Sequence, residues 1–424
     1  MMNNTLNDPS RYCAFIGIDW ADKKHDIHIM ENGSKVKKHF EVQHHPKKLT
    51  KWFDELGIRY NHCPIAVAIE TSRGPLINFL VQYPFLTLFP VNPLSLSQYR
   101  KSFRVSSAID DVNDSDLLCE MVATHLDRLS CIKQDDQQTR ELRLLSEQRR
   151  KIVQQRVDIS NALKAHLKQY FPLAIELAGD EIHSKSVCEF LLRFPTHELI
   201  THATDQKIRT FYRKQRCWKK TIDKNINIIR NAKPLTTDSI LTETMAMTTK
   251  LYAQMLLDIT NSVQEYDDKI HGKLSAHPDG FIFKSLPGAG SIFASRITSV
   301  YGCDRSKFNA SDDVQKHSGV APITQKSGNK HIVMFRIACP KFIRQTFVEF
   351  AKLSIQHSIW ARAFYTMKID RGKTRQMALR ALAFKWIRII TKCWKERKAY
   401  DELIYLKALQ KRKSPILKYI TATS

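Results

Sequence analysis

Four carboxylates in the first third of the chain are placed as metal-assisted phosphodiester chemistry would need them. Asp19 closes an apolar, β-branched run (CAFIGID), and Glu70 closes a second one (PIAVAIE). Asp111 and Asp114 lie in AIDDVNDSDLL, where a helix is expected to begin. A spacing of three puts both on one helical face. If the two apolar runs are neighbouring strands, Asp19 and Glu70 stand side by side. Four converging carboxylates cannot all stay ionised without a cation. Hard divalent ions, Mg²⁺ or Mn²⁺, suit such oxygen ligands. Two of them about 4 Å apart can activate an attacking oxygen and stabilise a leaving one. Singly, each carboxylate has a plainer use as a turn residue or helix cap. Asp110 and Asp116 also compete for a place in the set.

The elements that would carry these residues can be read from hydrophobic periodicity. HDIHIM and KVKKHFEV alternate as half-buried strands do, and HPKKLTKWFDELG has helical spacing. PIAVAIE is a continuous apolar run, as in a central strand covered on both faces. GPLINFLVQY suits a helix and LTLFPV another strand. The order β-β-β-α-β-α-β-α is that of the ribonuclease H-like fold, and it makes the first and fourth strands neighbours.

Beyond this α/β region the chain becomes helical. At 424 residues it is long enough for two or three domains of about 150 residues. We expect a catalytic α/β domain over 1–130, a helical linker and dimerisation region over 131–275, and a mainly helical third domain over 276–424. In the middle region Leu145, Ile152 and Ile159 recur every seven residues, with Leu163 and Leu167 continuing the stripe. That pattern predicts a long helical hairpin or short coiled coil. The stretch 172–240 is mixed and carries no assignable role. The third region holds a Gly-containing turn, HSGVAPITQKSGNKH, and ends in basic helices. From residue 366 onward there are 16 Lys/Arg against 4 Asp/Glu. Trp386 and Trp394, eight residues apart, read as core residues.

The whole chain has 67 Lys/Arg and 42 Asp/Glu, a formal charge of +25. A field of that size attracts polyanions, nucleic acid above all. Nine cysteines at irregular spacing include no C-x-x-C pair, which argues against a zinc knuckle and for reduced thiols. The N-terminus has no signal-peptide core. The longest apolar stretch is interrupted at Gln82, Tyr83 and Pro84, too soon to span a bilayer. A cytoplasmic, nucleoid-associated protein without a membrane partner is the expectation.

Several motifs together resemble a known family. GIDWADKKHDI, AIETS, VNPLSLSQYRKSF and SSAIDDVNDSDLL are similar, in order, to the N-terminal domain of insertion-sequence-110 transposases. LPGAGSIFASRI, KHSGVAPITQKSGNKH and LRALAFKWIRI resemble that family's second domain. The resemblance implies a DEDD domain like that of RuvC-type junction resolvases, with Asp19, Glu70, Asp111 and Asp114 as metal ligands. It also implies a serine nucleophile in an S-G dipeptide shortly after G-x-A-P, which here is Ser327. It further implies DNA partners (element ends and target), a guide RNA from the element, and a dimer or tetramer in which one protomer's serine completes another's carboxylate site. Two positions depart from the pattern. Ile109 and Asp110 stand where a basic residue commonly precedes the paired aspartates, and Ser115 replaces an alanine.

A hydroxyl such as that of Ser327 can attack a phosphodiester and conserve the bond energy for rejoining. Without the resemblance, Ser318, which also precedes a glycine, would be an equal candidate. Lys326 and Lys330 flank Ser327. Leu286-Pro287-Gly288-Ala289-Gly290 looks like the turn of a helix-hairpin-helix, where Gly288 and Gly290 would let backbone N–H groups approach a phosphate. Arg100, Lys101 and Arg104 precede the paired aspartates and are candidates for holding the substrate backbone. The expected activity is transposition by DNA strand cutting and rejoining. The alternatives are a junction-resolvase-like nuclease, which needs no serine, and a non-catalytic nucleic-acid-binding protein.

Overall fold

The computed structural model describes residues 5–71, 74–103, 111–132, 135–328 and 330–421. The chain divides into two compact units, 1–134 and 135–424.

The first unit is a five-stranded mixed sheet between two helical layers. Its elements are β1 (Ala14–Trp20), β2 (Lys24–Glu31), β3 (Lys37–Gln43), α1 (Pro46–Arg59), β4 (Ile65–Ile69), α2 (Pro75–Leu80), β5 (Leu86–Pro90), α3 (Pro93–Phe103) and α4 (Asp111–Thr124). The strand order is β3-β2-β1-β4-β5. The meander β1-β2-β3 is antiparallel, whereas β4 and β5 join parallel to β1 through helical crossovers. This is the order that the periodicity predicts, and every strand falls within two residues of its expected place. The all-buried β4, Ile-Ala-Val-Ala-Ile, is the continuous apolar run of a strand covered on both faces.

Strand alternation divides its two cores. Ile16, Ile18, Ile65, Val67 and Ile69 face Phe53 and Leu56 of α1 and Leu76 and Leu80 of α2. Phe15, Ala66 and Ala68 face Leu117, Leu118 and Val122 of α4. The small alanines on that second face let α4 lie close to the sheet.

The second unit is mostly helical. A long antiparallel pair, α5 (Gln137–Leu167) and α11 (Ser239–Ala276), forms its spine. Between them, α6 (Pro172–Ala178), α7 (Lys185–Arg193), α8 (His197–Thr201), α9 (Asp205–Lys214) and α10 (Lys219–Asn231) enclose their own core around Phe171, Phe190, Phe211 and Ile229. The stretch left unassigned at the level of sequence is thus a small helical bundle at one end of the spine.

The rest comprises α12 (Gly280–Lys284), α13 (Gly290–Tyr301), α14 (Ser311–His317), a hairpin of β6 (Ile323–Ser327) and β7 (Lys330–Met334), and then α15 (Lys341–His357), α16 (Ile359–Asp370), α17 (Arg375–Glu396), α18 (Glu402–Lys411) and α19 (Leu417–Thr421). Its core is built on Tyr301, Phe347, Trp360, Trp386 and Trp394, all fully buried, so the two helical tryptophans are core residues. Among the described residues no helix is long and apolar enough to cross a membrane.

Candidate active site

Strand register and alternation place Asp19 and Glu70 on the α4 side of the sheet, and Glu70 senses the Asp114 carboxylate, but among the described residues these three acids do not gather within 4.8 Å of one another. Ile18 pairs with Ile69, so the next residues, Asp19 and Glu70, emerge level at the carboxyl ends of two parallel strands. Ligand sites of open α/β sheets form at such strand ends. Gly17 brings α4 up to β1. A methyl group there would overlap the Ser115 carbonyl oxygen and the Cys119 amide nitrogen, so only glycine permits this crossing. Cys119 Sγ lies 3.3 Å from the Phe15 carbonyl oxygen, and Ser115 lies over Gly17. The helix therefore runs against the direction of β1. One step further along, Asp19 is level with the first turn of α4, where Asp111 and Asp114 stand.

The electrostatics link Glu70 with Asp114. Burial, and after it the Asp114 carboxylate, push Glu70 above the ordinary carboxylate range, while Arg100 pulls the other way. Arg100, on α3, forms an ion pair with Asp114, both side chains being mostly buried. A guanidinium thus offsets part of the negative charge. Arg100 touches a carboxylate rather than presenting itself freely to a substrate backbone. Lys101 is exposed on the same helix. Arg104 and Asp110 lie outside the described residues, as does the side chain of Asp111, so the choice between Asp110 and Asp111 falls outside them too.

Neighbouring groups define which acids belong to the site. Asp116, a competitor by sequence, is ion-paired with Lys37 at 2.6 Å, and Glu120 holds the same ammonium at 3.0 Å. Asp26 pairs in register with Asp19 and is bonded to His39 Nε2 at 2.8 Å. Ser115 is fully buried, and its hydroxyl shares a 2.9 Å hydrogen bond with His28 Nδ1. Periodicity alone does not reveal these β2 and β3 partners. Gly17 left a trace, since a glycine inside an apolar strand marks close backbone approach.

The second unit carries the remaining candidates. The segment around Ser327 is a β-hairpin rather than a plain turn. Ser327 ends β6 and pairs with Lys330 across a tip where Gly328 has a φ of 53°. The side chains of Lys326, Ser327 and Lys330 lie outside the described residues. Ser318 is fully buried and its hydroxyl donates to the Gln315 carbonyl oxygen, so it is not presented to a substrate. Gly288 and Gly290 both have positive φ, 75° and 54°, in the turn between α12 and α13. A methyl at Gly288 would strike the His357 ring, whereas Gly290 opens on free space.

Comparison with known proteins identifies two domains. Residues 16–172 match the DEDD transposase domain of the IS110 kind, and residues 281–366 match the transposase domain of the IS116/IS110/IS902 family. A protein named as a mini-circle transposase for IS117, from Streptomyces coelicolor, is 25% identical over 92% of this chain and 95% of its own length. An uncharacterized 42 kDa protein of insertion element IS900, from Mycobacterium paratuberculosis, is 21% identical over 68% of this chain and 72% of its own. The two transposase domains follow one another along the chain in the order expected, and the chain belongs to the IS110 family of transposases.

Proposed function

We propose that this transposase cuts and rejoins DNA strands at a ribonuclease H-like carboxylate centre with Ser327 as the nucleophile. The observation that supports the first half is the placing of Asp19 and Glu70 level at adjoining strand ends, with Glu70 raised in pKa by burial and then by Asp114 of α4. Oxygen donors in this number suit Mg²⁺ or Mn²⁺, and Asp19, Glu70, Asp114 and Asp111 would hold the ions. When bound, such ions supply positive charge to the phosphoryl and leaving oxygens.

The chain's own part is then defined. Ser327 Oγ bonds to the scissile phosphorus as the bond to the leaving deoxyribose oxygen breaks. The hydroxyl proton passes to a neighbouring base, and the leaving oxygen takes up a proton. Rejoining runs the same exchange backwards on a second strand end, so no bond energy is lost to water. Backbone N–H groups at the Gly288–Gly290 turn and the lysines beside Ser327 would hold phosphates without reading sequence. Arg100 tempers the charge on Asp114. Following the family, the site is shared between protomers of a dimer or tetramer, a guide RNA from the element joins element ends to target, and the reaction takes place in the cytoplasm on nucleoid DNA.

The test is denaturing electrophoresis of protein incubated with element-end DNA, target DNA, element transcript and Mg²⁺. A slow protein–DNA band that disappears in both Ser327→Ala and Asp19→Asn is expected. Cleavage that persists in Ser327→Ala, with no such band, would replace this reading with that of a hydrolytic, resolvase-like nuclease.

A further inference from the structure

The hairpin that carries Ser327 roofs a basic groove. Val333, Met334 and Phe335 line a cavity of about 790 Å³ whose opposite wall is α17. Its floor is apolar, including Phe364, Met377 and Phe384. Lys368, Arg380, Lys385 and Arg388 stand around it. Lys385 and Arg388 also line a second cavity, of about 340 Å³, which continues along α17 to Arg412. Arg380, Phe384 and Arg388 are spaced by four residues, so one helical face presents the row.

Among the described residues none of these five cations forms an ion pair. The acids of the second cavity are taken: Glu396 lies 3.8 Å from Lys392, and Asp401 caps α18. Lys385 is half-buried, 4.7 Å over the Phe364 ring, and its pKa is lowered to about 8 by burial and then by Arg388, Lys368 and Arg412. Phe335 is held between the guanidinium groups of Arg344 at 4.3 Å and Arg380 at 4.5 Å, which fixes it at the mouth of the groove. Uncompensated cations around an apolar floor are costly unless an anion with flat apolar parts occupies the space. A single strand of nucleic acid fits that description: phosphates for the cations and unpaired bases for the floor and aromatic rings. A duplex keeps its bases stacked inside and could use only the cations.

We propose that this groove, at the base of the hairpin whose tip carries Ser327, holds a single-stranded segment of the DNA, with Lys368, Arg380, Lys385, Arg388 and Arg412 on its phosphates and its bases against the apolar floor of Phe364, Met377 and Phe384. The choice of DNA rests on the transposase reading above, since DNA is what a transposase cuts.

Fluorescence anisotropy with a labelled ten-nucleotide oligothymidylate tests this on the full-length protein across a salt series. The comparison is wild type, Lys385→Met with Arg388→Gln, and a control, Lys219→Gln with Lys220→Gln, whose residues are exposed on α10. Loss of two phosphate contacts should weaken binding about tenfold or more and flatten the log–log salt slope by about 1.4. The control should leave both unchanged. An equal loss in the control, an unchanged slope in the groove variant, or a tighter grip on oligouridylate RNA than on the DNA would each overturn the proposal. Circular dichroism melting confirms that both variants fold. The adduct band is read in parallel. Its loss in Ser327→Ala with the salt slope intact separates failure of the groove from failure of the nucleophile.

Discussion

At Ser115 the family pattern has alanine, and the extra hydroxyl is accommodated by one histidine on β2. Neither group can be judged alone, because both are buried and each satisfies the other. Ser115→Ala should cost about 1–3 kcal/mol through the stranded His28 nitrogen. Adding His28→Leu should recover part of that loss in thermal melts. Strictly additive losses would show that the pair is not coupled. The same scale separates ligand from bystander. Asp114→Asn should reduce strand cleavage by about a hundredfold or more, whereas Asp116→Asn, which leaves Lys37 still paired with Glu120, should cleave nearly as wild type. Equal losses would place Asp116 in the site. The sequence could nominate both acids, because either fits a helix start. It could not separate them, since Lys37 lies 79 positions away and reaches Asp116 only through the sheet.

At the scale of elements, strands and their order were legible because the residues alternate or run apolar as each environment demands. The site's register follows from that order, since Asp19 and Glu70 both terminate strands. The approach of α4 rests on Gly17. Gly17→Ala should push the helix off β1, with a stability loss of about 1–3 kcal/mol or more and a larger loss of cleavage, because Asp114 moves with it. Cleavage retained at wild-type rate would mean that α4 does not set the metal geometry.

The spine was legible only in part. Of the stripe read from the sequence, Leu163 and Leu167 are fully buried, whereas Leu145, Ile152 and Ile159 are half-exposed, and Thr139, Leu142, Ser146 and Ser160 complete the buried seam of α5. The spacing is heptad-like, but the seam is too polar to be seen as one. Arg149 falls in that seam and is bidentate to Asp267 of α11, at 3.0 Å for one contact. Asp267→Ala should cost about 3 kcal/mol by leaving the guanidinium unpaired, whereas replacing both residues with leucine should be close to neutral. A neutral single variant would contradict that account. The β6–β7 hairpin escaped prediction because its short strands flank an S-G-N turn that reads equally well as a loop.

For the whole molecule, the proposed mechanism divides the chemistry between two compact units. The carboxylates belong to the first and the serine, basic groove and terminal cationic helices to the second. Net charge foretold a polyanionic partner, but not where the uncompensated cations gather, because that depends on which acids are already paired. The central claim of the proposal is that Ser327 is the nucleophile and depends on the carboxylates, and it makes a demand on a single atom. Mass spectrometry of the protease-digested covalent complex would locate the attached nucleotide. Attachment to the peptide at Ser327, absent when Asp19 is replaced by Asn, is the result this account predicts. A nucleotide on any other residue, or strands cut by water with no covalent species, would contradict it.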